Sequence, residues 1–72
     1  MNKETFKFIR LYSAKSQQEF ADYIGIGRTT VSSIESGHRR VTANIRAKLA
    51  SKFPLDDTFF AQFEKYRKLS QS

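Results

Sequence analysis

SQQEFADYIGIGRTTVSSIESG, residues 16–37, carries two glycines, Gly25 and Gly27, inside what otherwise reads as one amphipathic helical run. Glycine costs roughly 1 kcal/mol relative to alanine inside a helix, so two of them around a single isoleucine mark a change of chain direction. Ser16 followed three residues later by Glu19 is a capping box. The Ser16 hydroxyl accepts from the Glu19 amide, and the Glu19 carboxylate reaches back to the Ser16 amide. A helix starts there and runs to about Ile24. Gly25 then falls where a left-handed C-terminal cap is expected. Arg28 to Glu35 forms a further short helix with Val31 and Ile34 on one face and Gly37 just past its end. The stretch therefore reads as two short helices joined at a corner.

The flanks read as helices too. Residues from about Lys3 to Tyr12 carry Phe6, Ile9 and Leu11 with Phe8 and Tyr12 nearby, an apolar surface wider than one helix stripe needs. Gly37-His38-Arg39-Arg40 is a turn. Thr42 suits the N-cap of a fourth helix, in which Ile45, Leu49 and Phe53 recur at spacing four until Pro54 forbids continuation. Asp56 or Asp57 can cap a fifth, reaching about Leu69 with Phe59, Phe60, Phe63 and Tyr66 on its apolar side. The expected fold is all-α, with five helices and no strands. The expected organisation is a single domain over residues 1–72, with a core over 3–53 and a C-terminal helix over about 57–69. No internal repeat or low-complexity tract appears, and the final Ser-Gln-Ser is expected to fray.

Composition narrows the function. A chain of 72 residues buries only about 60% of the surface its unfolded form exposes, so one small domain is expected. Cysteine is absent, which removes disulfides and thiolate metal sites and leaves a reducing compartment as the default. No signal peptide or membrane span is visible, so a cytoplasmic protein is expected, with no membrane partner. One histidine and carboxylates that are adjacent (Asp56, Asp57) or scattered supply neither a nucleophile with its base nor a metal cage. The expectation is a binding protein, not an enzyme, without catalytic residues, metal, cofactor or small-molecule substrate. Thirteen Lys and Arg against seven Asp and Glu give +6, and the excess is uneven. Residues 1–53 hold ten of the basic and four of the acidic side chains, while residues 54–72 hold three of each. One end of the molecule therefore suits a polyanion.

Gln17, Ala21, Gly25, Val31 and Ile34 together resemble the helix-turn-helix of the Cro/C1 repressor-type (XRE) family, whose DNA-binding domain is a five-helix lambda-repressor-like fold. The resemblance spans roughly residues 3–60. Each position has a mechanical reason: Ala21 is small where the two helices cross, Gly25 turns the chain, and Val31 with Ile34 pins the second helix to the core. Gly27 falls at the mouth of that helix, where a missing side chain lets the backbone approach a phosphate or lets Arg28 swing freely. The resemblance implies that Arg10 and Glu35 form a structural ion pair. It also places a recognition helix in the major groove of double-stranded DNA, offering Arg28, Thr29, Ser32 and Ser33 to base edges. Arg28 is the one strong reader, through guanine O6 and N7. Ser16, Gln17, Thr30, Ser36, His38, Arg39 and Arg40 would touch phosphates. Lys48 and Lys52 read as solvent-face charges.

More narrowly, the chain resembles the small modulator-of-repression proteins of temperate bacteriophages. That likeness implies an antirepressor in the lysis and lysogeny choice, binding the phage repressor, operator DNA, or both, in the cytoplasm of the host bacterial cell. The alternative is a Cro-like homodimer acting through sequence-specific DNA contacts alone. Seven phenylalanines and three tyrosines are many for so small an interior, so Phe8, Tyr12, Phe63 and Tyr66 are candidates for a partner surface.

Overall fold

The computed structural model describes residues 1–71, and Ser72 of the expected tail lies outside them. Five helices follow in order: α1 (Lys3–Tyr12), α2 (Gln17–Ile24), α3 (Arg28–Glu35), α4 (Ala43–Ala50) and α5 (Asp57–Gln71). No strand occurs among the described residues. The last helix runs beyond Leu69, into the segment expected to fray.

Side-chain caps fix most of the helix starts. Asn2 Oδ1 accepts from the Thr5 amide at 2.8 Å, Thr42 Oγ1 from Ile45 at 3.3 Å, and Asp56 Oδ1 from Phe59 at 2.9 Å. At α2 the full box is present, with the Ser16 hydroxyl accepting from Glu19 N at 3.1 Å and Glu19 Oε1 from Ser16 N at 2.8 Å. Gly25 has φ +83°, and its amide and that of Ile26 both donate to the Ala21 carbonyl at 2.9 Å. The corner is thus a left-handed turn whose two amides close on one carbonyl of α2's last turn.

Ser16 holds the Glu19 carboxyl below its usual value, first through its backbone N–H and then through its hydroxyl, with Lys15's charge adding to this. A depressed folded-state pKa means that the box's ionic contribution is present above the unfolded carboxyl value, about 4.3, and is lost as pH falls through the folded one. An NMR titration of the Glu19 side chain is expected to give a midpoint under about 4.3. A midpoint at or above that value would show the box open in solution.

The fourth helix ends earlier than its spacing implies. It stops at Ala50, and the chain tightens so that Lys52 N donates to Leu49 O at 3.0 Å and Phe53 N to the same carbonyl at 2.9 Å. A proline ring clashes with the carbonyl four residues back, here that of Ala50, and disfavours helical geometry in the residue before it. Pro54 therefore acts a full turn upstream. Phe53 remains half-buried, with its ring 5.9 Å from Phe20 and 5.8 Å from Tyr23.

The core joins all five helices. Phe6 and Ile9 of α1, Phe20, Ala21 and Ile24 of α2, Val31 and Ile34 of α3, and Ile45 and Leu49 of α4 are buried together. α2 and α3 pack against each other most extensively, with Ala21 fully buried between the elements it joins. Phe6 meets Phe20 edge to face, with centroids 5.4 Å apart. α5 closes the other side of α1 through Phe59 and Phe63, whose rings lie 5.8 and 4.8 Å from Phe8.

This packing corrects part of the expected partner surface. Phe8 and Phe63 are only 4% and 9% exposed, because α1 and α5 close over each other and make them core. Tyr12 and Tyr66 stay outside at 56% and 46%, beside an exposed Leu11. The width of α1's apolar surface thus divides between two neighbours, with Phe6 and Ile9 in the main core and Phe8 against α5.

Candidate nucleic-acid interface

The second helix of the pair turns its remaining face outward. With Val31 and Ile34 buried, Arg28, Thr29 and Ser32 are exposed, while Thr30 and Ser33 are half-buried at the edge. Ser33 acts chiefly through its backbone. Its carbonyl accepts from His38 N at 2.9 Å, Arg39 N at 3.2 Å and the Ser36 hydroxyl at 3.1 Å, which folds the turn back against the end of α3. Ser36 Oγ lies 2.8 Å from His38 Nδ1. The turn thereby presents Arg39 and Arg40, both exposed, beyond one end of α3, with Arg28 at the other. Among the described residues, none of the three arginines is in an ion pair.

Gly27 is the N-cap of α3, with φ −81° in the extended range that any residue adopts. A Cβ there would meet only the Thr30 hydroxyl, at an ordinary 3.8 Å. The glycine is therefore not required by backbone geometry. Its effect is to leave α3 without the side-chain cap that Asn2, Ser16 and Thr42 give their helices, and the Thr30 amide turns back to the Gly27 carbonyl at 3.1 Å. Such an end carries a partial positive charge, on the order of half a unit.

Behind this face, Arg10 and Glu35 form a two-pronged ion pair, with Nε to Oε2 at 2.7 Å and Nη2 to Oε1 at 2.9 Å. Both side chains are largely buried, and the remaining guanidinium nitrogen, Nη1, donates to Lys15 O at 3.0 Å. Hydrogen bonding to Glu35 raises the Arg10 pKa above its ordinary value, so Arg10 stays charged at any working pH. Gln17 Nε2 joins the same carboxylate at 3.4 Å, which draws a residue expected at the phosphate backbone into the brace between α2 and α3. Ser16 is exposed, but its hydroxyl is engaged as the α2 cap.

Lys48 departs from the simple solvent-face reading, while Lys52 is exposed as expected. Lys48 is half-buried and its ammonium donates to the Gly25 carbonyl at 3.0 Å, tying α4 to the corner. Lys52 and Lys15 lie over the Tyr23 ring, with Nζ 5.2 and 4.5 Å from its centroid. The Gly25 carbonyl is left free by α2's own ladder, and only the folded approach of α4 supplies its donor. No spacing rule in the sequence announces that contact.

The described residues contain no cluster of His, Cys, Asp or Glu that could hold a metal, and no helix long and apolar enough to cross a membrane. A helix pair joined at a tight glycine corner, its second helix facing outward and flanked by arginines in no ion pair among the described residues, is the architecture of a helix-turn-helix DNA-binding domain. A family model described as Helix-turn-helix matches residues 10–60, which is more than half of the chain. The chain belongs to this XRE-type helix-turn-helix family, a DNA-binding regulatory family that is not typically enzymatic. No curated protein and no solved structure matches the chain.

Proposed function

We propose that this chain is a regulator of a temperate phage's lysis and lysogeny switch, acting in the host bacterial cytoplasm as an antirepressor. It would bind the phage repressor, DNA, or both through the outward face of α3. The observation that carries this reading is the charge pattern of that face. Three arginines that are in no ion pair among the described residues bracket α3, yet the other base-reading candidates are only Thr29, Ser32 and Ser33, so electrostatic attraction is strong where base reading is sparse. A surface of this kind suits DNA phosphates, and equally an acidic protein surface. By seating these arginines on acidic side chains beside a repressor's recognition surface, it would block that repressor's access to its operator.

Two substitutions test the DNA component. Arg28→Ala is expected to lose about 1–3 kcal/mol of discrimination between operator and unrelated duplex, read from competition binding. Equal loss on both duplexes would mean that Arg28 does not read a base. Arg39→Ala with Arg40→Ala should leave discrimination intact while flattening the dependence of log affinity on log salt by about 0.9 for each phosphate contact removed. An unchanged slope would place the turn away from the backbone. The decisive comparison is titration of the purified chain against labelled operator fragments and, separately, against the phage repressor. Tight repressor binding supports the antirepressor. Its absence, beside specific operator binding, leaves an operator reader alone.

The Cro-like homodimer remains as a second reading because of one feature, the exposed Leu11, Tyr12 and Tyr66 along the α1/α5 side. The residues beyond 53, which include α5, carry balanced charge, so a second copy would meet little repulsion there. Sedimentation equilibrium showing a dimer that Tyr66→Glu dissociates would favour it. A monomer throughout would remove it.

A further inference from the structure

The groove between the start of α1 and the turn after α3 holds about 320 Å³ and is lined by Lys3, Ile34, Gly37, Arg39, Arg40 and Val41. No carboxylate lines it, and among the described residues none of its three basic side chains is in an ion pair or a side-chain hydrogen bond. Lys3 breaks a local rule. It is the first residue of α1, where the positive end of the helix disfavours a cation. Its side chain lies across Gly37, where an added Cβ would stand 3.4 Å from Nζ and 3.6 Å from Cδ. Gly37, at φ +86°, turns the chain out of α3, and the lysine lies at ordinary contact distance over it.

A simpler account is that these cations answer the negative end of α3. That end is equivalent to only about half a charge, too little for three cations, and Lys3 simultaneously opposes its own helix. We propose that Lys3 acts with Arg39 and Arg40 as a phosphate clamp that seats the DNA backbone beside the groove entered by α3. The clamp rests on the DNA-binding part of the proposed function and extends the contact surface to α1. Lys3 positions the duplex and reads no base, because a single ammonium on a flexible stem has no bidentate geometry to match a base edge.

The test compares Lys3→Ala and Lys3→Gln with Lys7→Ala, which removes another exposed α1 cation that lines the separate α1/α5 groove. Binding of each to operator and to unrelated duplex is followed across a salt series, with circular dichroism confirming the fold. Both Lys3 variants are expected to lose several-fold affinity equally on the two duplexes and to flatten the salt dependence by about 0.9 in the log–log slope. Lys7→Ala should match the parent. A parent that binds duplex with a slope the Lys3 variants share, or an effect of Lys7→Ala equal to theirs, overturns the clamp alone. A parent that binds no duplex at any salt overturns the DNA reading and the clamp with it.

Discussion

Phe20→Ala is expected to lower the stability of the domain by about 3–5 kcal/mol. The ring is fully buried, packs edge to face on Phe6, and lies 5.9 Å from Phe53, so it joins α1, α2 and the chain after α4. Truncation removes its transfer free energy and leaves a cavity that three separate elements would have to move together to fill. A domain of this length has a total stability of roughly 4–11 kcal/mol, so the loss is comparable with the whole. At about 4–8 °C per kcal/mol, Tm should fall by at least about 12 °C in a melt followed at 222 nm. Tyr23→Ala, on the exposed face of the same helix, should cost about 1 kcal/mol or less. Similar melting of the two variants would mean that Phe20 is not where the core closes.

Glu35→Ala is expected to cost about 3 kcal/mol, because it leaves the Arg10 guanidinium largely buried with only the Lys15 carbonyl as partner. The sign matters more than the size. Arg10's raised pKa means that its share of the pairing is present at every pH below the unfolded arginine value and is lost only as pH rises through the still higher folded one. Working alkaline conditions cannot relieve the orphaned charge. Removing both charges should relieve it, and Arg10→Met with Glu35→Leu is expected to recover most of the loss, since a buried pair replaced by apolar groups of similar volume is often neutral. The pair joins the end of α1 to the end of α3, away from the exposed Arg28, so the folded fraction of the double variant should keep the parent's base preference. A Glu35→Ala chain as stable as the parent, or a double variant no better than Glu35→Ala, would contradict the brace.

How much of this was legible in the sequence depended on how local its physics is. The Ser16–Glu19 box, the Gly25 corner and the span of α3 are set by residues three or four apart, and each lies where the spacing puts it. The turn between α1 and α2 was not marked. Ala14 occupies the left-handed region at φ +56° without the glycine that usually signals it, a conformation that costs about 1–2 kcal/mol. Arg10 compensates by binding the next carbonyl, and that contact depends on the same guanidinium that grips Glu35. Phe8 was ambiguous for a related reason: periodicity shows which residues are apolar, but not which neighbour covers them. At the candidate interface, the exposure of Arg28, Thr29 and Ser32 follows from helical phase once Val31 and Ile34 are inward, while base reading is what the family resemblance implies for them. Lys3 and Lys48 do not, since each acts on a turn distant in sequence, over Gly37 and at the Gly25 carbonyl.

On the proposed function, the binding surface is the outward end of α3 together with the turn that follows it. Titration of the ¹⁵N-labelled chain with operator duplex, followed residue by residue by NMR, tests that most directly. The predicted result is a contiguous set of shifted amides over 27–33 and 38–40, with those of 64–68 on α5 unmoved. Shifts confined to the α1/α5 side, with operator duplex or with the phage repressor, would contradict it.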